Sequence, residues 1–188
     1  MKPPEEYSFD FFVHEAGHVM AAHWMGATQC MVGYVLHSQQ PFETRFNIAD
    51  GRGRIKVSLA AILAEIAVAG DQVSQHRLNS AFKEIVFGHE DSCLNNLSSV
   101  ERKYVSHAMI DFHVAIQYAK ADRKTDDPQS IYGLLNREWD EVFQFVVREK
   151  QLLIAIAERM QHWYVNGLPS PLFDGIEAIA RYQSKIKA

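Results

Sequence analysis

The sequence predicts a mainly helical α+β fold with a small antiparallel sheet near the N-terminus. Three observations lead there: apolar residues at helical spacing from residue 57 onward, two short β-rich runs between residues 30 and 48, and cap or turn signals between them. With 188 residues the chain, residues 1–188, is the size of one domain and long enough to bury a sizeable core. No internal repeat, low-complexity segment or linker divides it.

Taken in order, the first helix is expected from Ser8, a suitable N-cap, to Met25, with Gly26 as its stop. CMVGYVLH (30–37) and RFNI (45–48) predict short strands, and DGRGR (50–54) predicts a turn. VSLAAILAEIAVAG (57–70) is apolar on every side, as a fully buried helix would be. Residues 71–90 predict a weaker helix and a loop ending in GHED. A long helix should follow to Asp122, its stripe formed by Val105, Met109, Phe112, Ile116 and Ala119. RKTDDPQS breaks it, and Asp127-Pro128 opens the next helix, which carries Trp139, Phe143, Val146, Leu153, Ile156 and Met160 and ends near Gly167. A short helix over 174–183 completes the chain.

Composition excludes several classes. The net charge is −4 and no dense Lys/Arg cluster offsets it, which argues against nucleic acid as a partner. MKPPEEYSFD is acidic and polar, unlike a secretory signal. The longest apolar run, 57–70, contains Glu65 and is too short for a bilayer. A soluble, cytoplasmic protein with no membrane segment is expected. Cys30 and Cys93 alone do not make a disulfide framework, and no Gly-x4-Gly-Lys-Ser/Thr loop signals a fused ATPase. No sequence feature specifies an oligomeric state.

The chemistry-bearing stretch is FVHEAGHVMAAH, residues 12–23. Residues four apart on a helix share a face, so His14 and His18 can offer imidazole nitrogens to one Zn²⁺. Glu15 sits about 100° around the helix from His14 and can reach an attacking water instead, which gives two ligands and one general base on a single turn. A chain with 9 histidines can contain H-E-x-x-H by chance. Here, however, the motif lies among Phe11, Phe12, Val13 and Val19, where three polar side chains on one turn are costly without partners. Gly17 would let another backbone approach beside the metal. The metzincin continuation H-E-x-x-H-x-x-G-x-x-H fails: the residue three after His18 is Ala21, and His23 points elsewhere. The third ligand must come from farther along the chain.

FVHEAGHVMAAHWMG resembles the HEAGH helix of the FtsH-type zinc metallopeptidase domain, a zincin-like helical fold. LAAILAEIAVAG is similar to that family's small-residue helix with Ala-Glu, here Ala64-Glu65. GHEDSCLNNLSSVERKYV stands where the family has a Gly-rich loop and an Asp-bearing helix, and NGLPSPLFDGIEAIARY looks like the C-terminal helices of small stand-alone relatives. The resemblance implies an Asp as third zinc ligand, and Asp91 is the favoured position. If Leu94, Leu97 and Val100 are laid on the family pattern, Cys93 takes the ligand's place; Glu90, Asn96 and Glu65 also remain open. For Glu65, holding an imidazole N–H beside the metal is the favoured role. With no ATPase module or membrane helices in this chain, ATP-driven threading is not implied.

His37, His76, His89, His107, His113 and His162 carry less information. His89 could touch substrate, while His107 and His113 flank the apolar stripe as boundary residues. The expected function is hydrolysis of a peptide or protein by zinc-activated water, with Glu15 as base. A metal-binding or protein-interaction module that keeps the fold, and a zinc hydrolase of non-peptide amides, are the competing expectations.

Overall fold

The first helix, α1, spans Phe9–Trp24, with Ser8 at its N-cap position. It stops where Gly26 takes a φ of +81°, a left-handed conformation that glycine adopts without strain. The computed structural model describes residues 8–34, 42–70, 73–166 and 172–186, the side chains of Tyr34 and Asp91 excepted. The expected strand end at 35–37 and the helix end at Gly167 lie outside the described residues.

Strands β1 (Cys30–Tyr34) and β2 (Phe42–Phe46) pair antiparallel, and β3 (Leu172–Asp174) joins the other side of β1, giving the order β2-β1-β3. The second strand therefore falls earlier than the expected 45–48. Cys30, Val32, Phe42 and Phe173 turn inward and are buried, while Glu43 and Arg45 face out, the alternation expected of a sheet with one packed face.

The segment 50–54 corrects the expected turn. Asp50 is an N-cap whose carboxylate accepts from the Gly53 N–H at 2.8 Å, and Gly51 already begins helix α2 (Gly51–Ala69). A Cβ on Gly53 would stand 2.8 Å from Ile48 Cγ2, so glycine here serves close packing. As its all-round apolar sequence predicts, α2 runs through the centre of the molecule, packed on α1 along one side and on helices from the second half of the chain along the other.

Those helices are α3 (Gln75–Val86), α4 (Glu90–Asn95), α5 (Ser99–Arg123), α6 (Pro128–Arg148), α7 (Lys150–Val165) and α8 (Gly175–Ile186). The single helix expected over 91–122 is two. Ser98 starts a new one with a reciprocal capping box, its hydroxyl accepting from Glu101 N–H at 3.2 Å and the Glu101 carboxylate accepting from Ser98 N–H at 2.9 Å. The helix expected from 128 to near 167 also divides, at Glu149, where φ is −95° and ψ 17°. Beside that break, Lys150 donates to the Ala67 carbonyl at 2.7 Å and so caps the C-terminal end of α2. Asp127 caps α6 as expected, accepting from Ser130 N–H at 2.9 Å.

The fold is mainly α with a small three-stranded antiparallel sheet near the N-terminus. Its buried side chains form one cluster, in which Phe82, Phe112 and Trp139 stack between α3, α5 and α6. Among the described residues, no helix is long and apolar enough to cross a membrane.

Candidate metal centre

Close packing of α1 on α2 builds the centre. A Cβ on Gly17 would lie 2.6 Å from the Ala60 carbonyl oxygen and 2.8 Å from Ala64 Cβ, so the two helices touch backbone to backbone there. On either side of that contact, His14 reaches Glu65 and His18 reaches Val57, both on α2.

Each imidazole is oriented by its Nδ1. In His18, Nδ1 lies 2.9 Å from the Val57 carbonyl oxygen, which can only accept, so Nδ1 carries a proton and Nε2 is the ring atom turned away from α2. In His14, Nδ1 lies 2.5 Å from Glu65 Oε1. Both Nε2 atoms then face one carboxylate: His14 Nε2 is 3.0 Å from Asp111 Oδ2, and His18 Nε2 is 3.4 Å from Asp111 Oδ1. Zn–N and Zn–O bonds of about 2.0–2.1 Å at tetrahedral angles place neighbouring donor atoms roughly 3.3 Å apart, close to the distance of each imidazole from Asp111. Glu65 also accepts from His107 Nδ1 at 3.1 Å. His14, His18 and Asp111, and separately His14, Glu65 and His107, are the metal-capable clusters among the described residues.

Electrostatics follow this geometry. Burial opposes a charge on His14, yet hydrogen bonds to Asp111 and Glu65, reinforced by their charges, hold its pKa well above 6.5 in the metal-free protein. Burial also pushes Asp111 upward, but the imidazoles of His18, His14 and His107 more than reverse this and keep it below the usual carboxylate value. Glu65, opposed by burial as well, is lowered by its bonds to His107 and His14. Two carboxylates therefore stay ionised around His14.

Glu15 is buried beside these groups, and its Oε2 accepts from the Thr44 hydroxyl on β2. Glu15 thus faces the sheet while His14 and His18 face α2 and α5.

Of the residues the sequence singled out, His14 and His18 turn to one carboxylate, Glu15 turns to Thr44, and Glu65 holds the His14 imidazole N–H. Asp91 lies on α4 with its side chain outside the described residues. The carboxylate that the structure brings to the imidazoles is Asp111, which the sequence did not single out. Cys93 belongs to neither cluster; its thiol donates to the Glu90 carbonyl of its own helix at 3.0 Å. In the other cysteine, Cys30, burial together with Glu15 and Asp174 pushes the thiol up to about 12, which disfavours the thiolate. His107 is more than a boundary residue, and Thr44 too was missed. One signal for the α5 pair was present: His107 and Asp111 are four apart, as His14 and His18 are. Comparisons with models of known protein families, with curated proteins and with solved structures find no match.

Proposed function

We propose that the chain is a zinc-dependent peptidase, related to the FtsH-type metallopeptidases and working without ATP. His14, His18 and Asp111 would hold the metal. The observation that carries this reading is the convergence of two Nε2 atoms from α1 and one carboxylate from α5, at 3.0 and 3.4 Å. Three protein ligands are the number found in catalytic zinc sites, which keep one position for water or substrate.

Zinc bound there would supply a Lewis acid and bring the pKa of a water down toward neutrality. The chain's own residues do the rest. Glu65 and the Val57 carbonyl keep both imidazoles turned with Nε2 forward. Glu15 accepts the proton of the attacking water as its oxygen bonds to the scissile carbonyl carbon. Glu15 then returns that proton to the departing amine nitrogen as the C–N bond breaks.

A peptide substrate is supported by β2, which is an edge strand among the described residues. An extended chain laid along that edge gains main-chain hydrogen bonds and lies beside Glu15. We place the protein in the cytoplasm, where a buried thiol such as Cys30 stays reduced.

The test is a zinc titration followed by digestion of a peptide pool. One zinc per chain, with cleavage lost to a chelator and restored by zinc, is the expected result. Stoichiometric zinc without cleavage would leave a metal-binding module; cleavage confined to non-peptide amides would leave the fold with a different substrate.

A further inference from the structure

Thr44 joins the sheet to the base. Its side chain lies on the inward face of β2 with Phe42 and Phe46, and its hydroxyl donates to Glu15 Oε2. The other oxygen, Oε1, has no hydrogen-bond partner among the described residues. One oxygen of the carboxylate is therefore held and the other is free to take a proton.

The strand register adds a second relation. Asn47 N–H bonds to the Gln29 carbonyl, directly opposite it across the ladder, at 3.3 Å. Bonded and non-bonded pairs alternate in an antiparallel ladder, so Met31–Arg45 and Gly33–Glu43 are bonded pairs and Val32–Thr44 is not. The main-chain N–H and C=O of Thr44 thus turn away from β1, toward the outer side of the edge strand. A single residue orients the base with its side chain and offers its main chain where an extended peptide would pair.

We infer that Thr44 is a positioning residue for Glu15, a role that rests on the peptidase reading above. A glutamate side chain turns freely about its last bond, and the hydroxyl removes that freedom by fixing Oε2. Oε1 is then presented to the attacking water at the place where the substrate strand is aligned. Misplacement by about 1 Å can cost roughly a hundredfold in rate, so one hydrogen bond to the base is sufficient to matter.

Thr44→Val keeps the branched shape that suits a strand and removes the donor, and Thr44→Ser keeps the donor. At matched zinc content, Thr44→Val should lose roughly 10- to 100-fold in kcat with KM little changed, and Thr44→Ser should recover most of it. A second readout needs neither metal nor turnover. In metal-free protein, the shifts in urea midpoint caused by Thr44→Val and Glu15→Ala should combine to less than their sum, because both remove one bond. Thr44→Val with wild-type kcat, additive shifts, or a rise in KM alone overturns the positioning role. A wild type that binds zinc and cleaves no peptide overturns the peptidase reading and this role together. An active wild type with a fully active Thr44→Val overturns only the role of Thr44.

Discussion

His14 Nε2 lies 3.0 Å from Asp111 Oδ2, a contact that joins the first helix to the fifth across the top of α2. A buried imidazole, held from behind by Glu65, and a half-buried carboxylate sit at zinc-ligand spacing. A metal would enter this cluster by replacing a proton.

Asp111→Asn should lower zinc affinity more than the roughly 10- to 100-fold typical of losing a partner behind a ligand, because a neutral amide is a poor donor to Zn²⁺. Asp91→Asn should hold zinc like the wild type. Titration of both variants against a competing chelator checks this. Affinity lost in Asp91→Asn and kept in Asp111→Asn would move the third ligand to α4.

Glu65→Gln addresses the support behind the ligands. Glu65 accepts from both His14 and His107, and an amide can satisfy only part of that demand. Zinc affinity should fall by roughly 10- to 100-fold while one zinc per chain is still reached at saturation. Complete loss of binding would make Glu65 a ligand itself.

The proton on His14 sets a pH dependence. Its folded pKa is raised, so its ion pairs stabilise the metal-free protein fully below about pH 6.5, and that contribution is lost as pH rises through the folded value. Asp111 and Glu65 are lowered, so their contributions are present above the ordinary carboxylate range and lost in acid. Zinc must displace the His14 proton and binds better as pH rises. The gap in Tm between zinc-loaded and metal-free protein should therefore widen from about pH 6 upward. A gap that stays flat with pH would contradict the exchange.

Gly17→Ala places a methyl 2.6 Å from a backbone oxygen of α2, which cannot swing aside as a side chain would. The helices must part, at a cost of roughly 1–3 kcal/mol. Because the same contact sets His14 against Glu65 and His18 against Val57, zinc affinity should fall together with stability. Denaturant unfolding and zinc titration on one sample would show whether the two losses travel together.

Much of this was legible in the sequence, and the exceptions have physical reasons. Ser8 and Gly26 bounded α1, the all-round apolar 57–70 run marked the buried helix, and Asp127-Pro128 marked the start of α6, because each signal is local. Ser98-x-x-Glu101 was equally local and was overlooked beneath the apolar stripe that continues past it. The β3 strand has three residues and exists through its pairing with β1, so no pattern announces it. Asp111 is the instructive case. Which turn of α5 faces His14 depends on how α5 lies on α2, a long-range matter, whereas the choice of Asp91 rested on the local pattern of GHED.

The central claim is that Glu15 removes a proton from water at a zinc held by His14 and His18. Turnover of a peptide pool by wild type and Glu15→Gln, compared at equal zinc content, tests it most directly. The account predicts that the variant keeps its zinc and its unfolding temperature and loses hydrolysis by at least about a hundredfold, since an amide cannot take the proton. Equal turnover in the two proteins would contradict it.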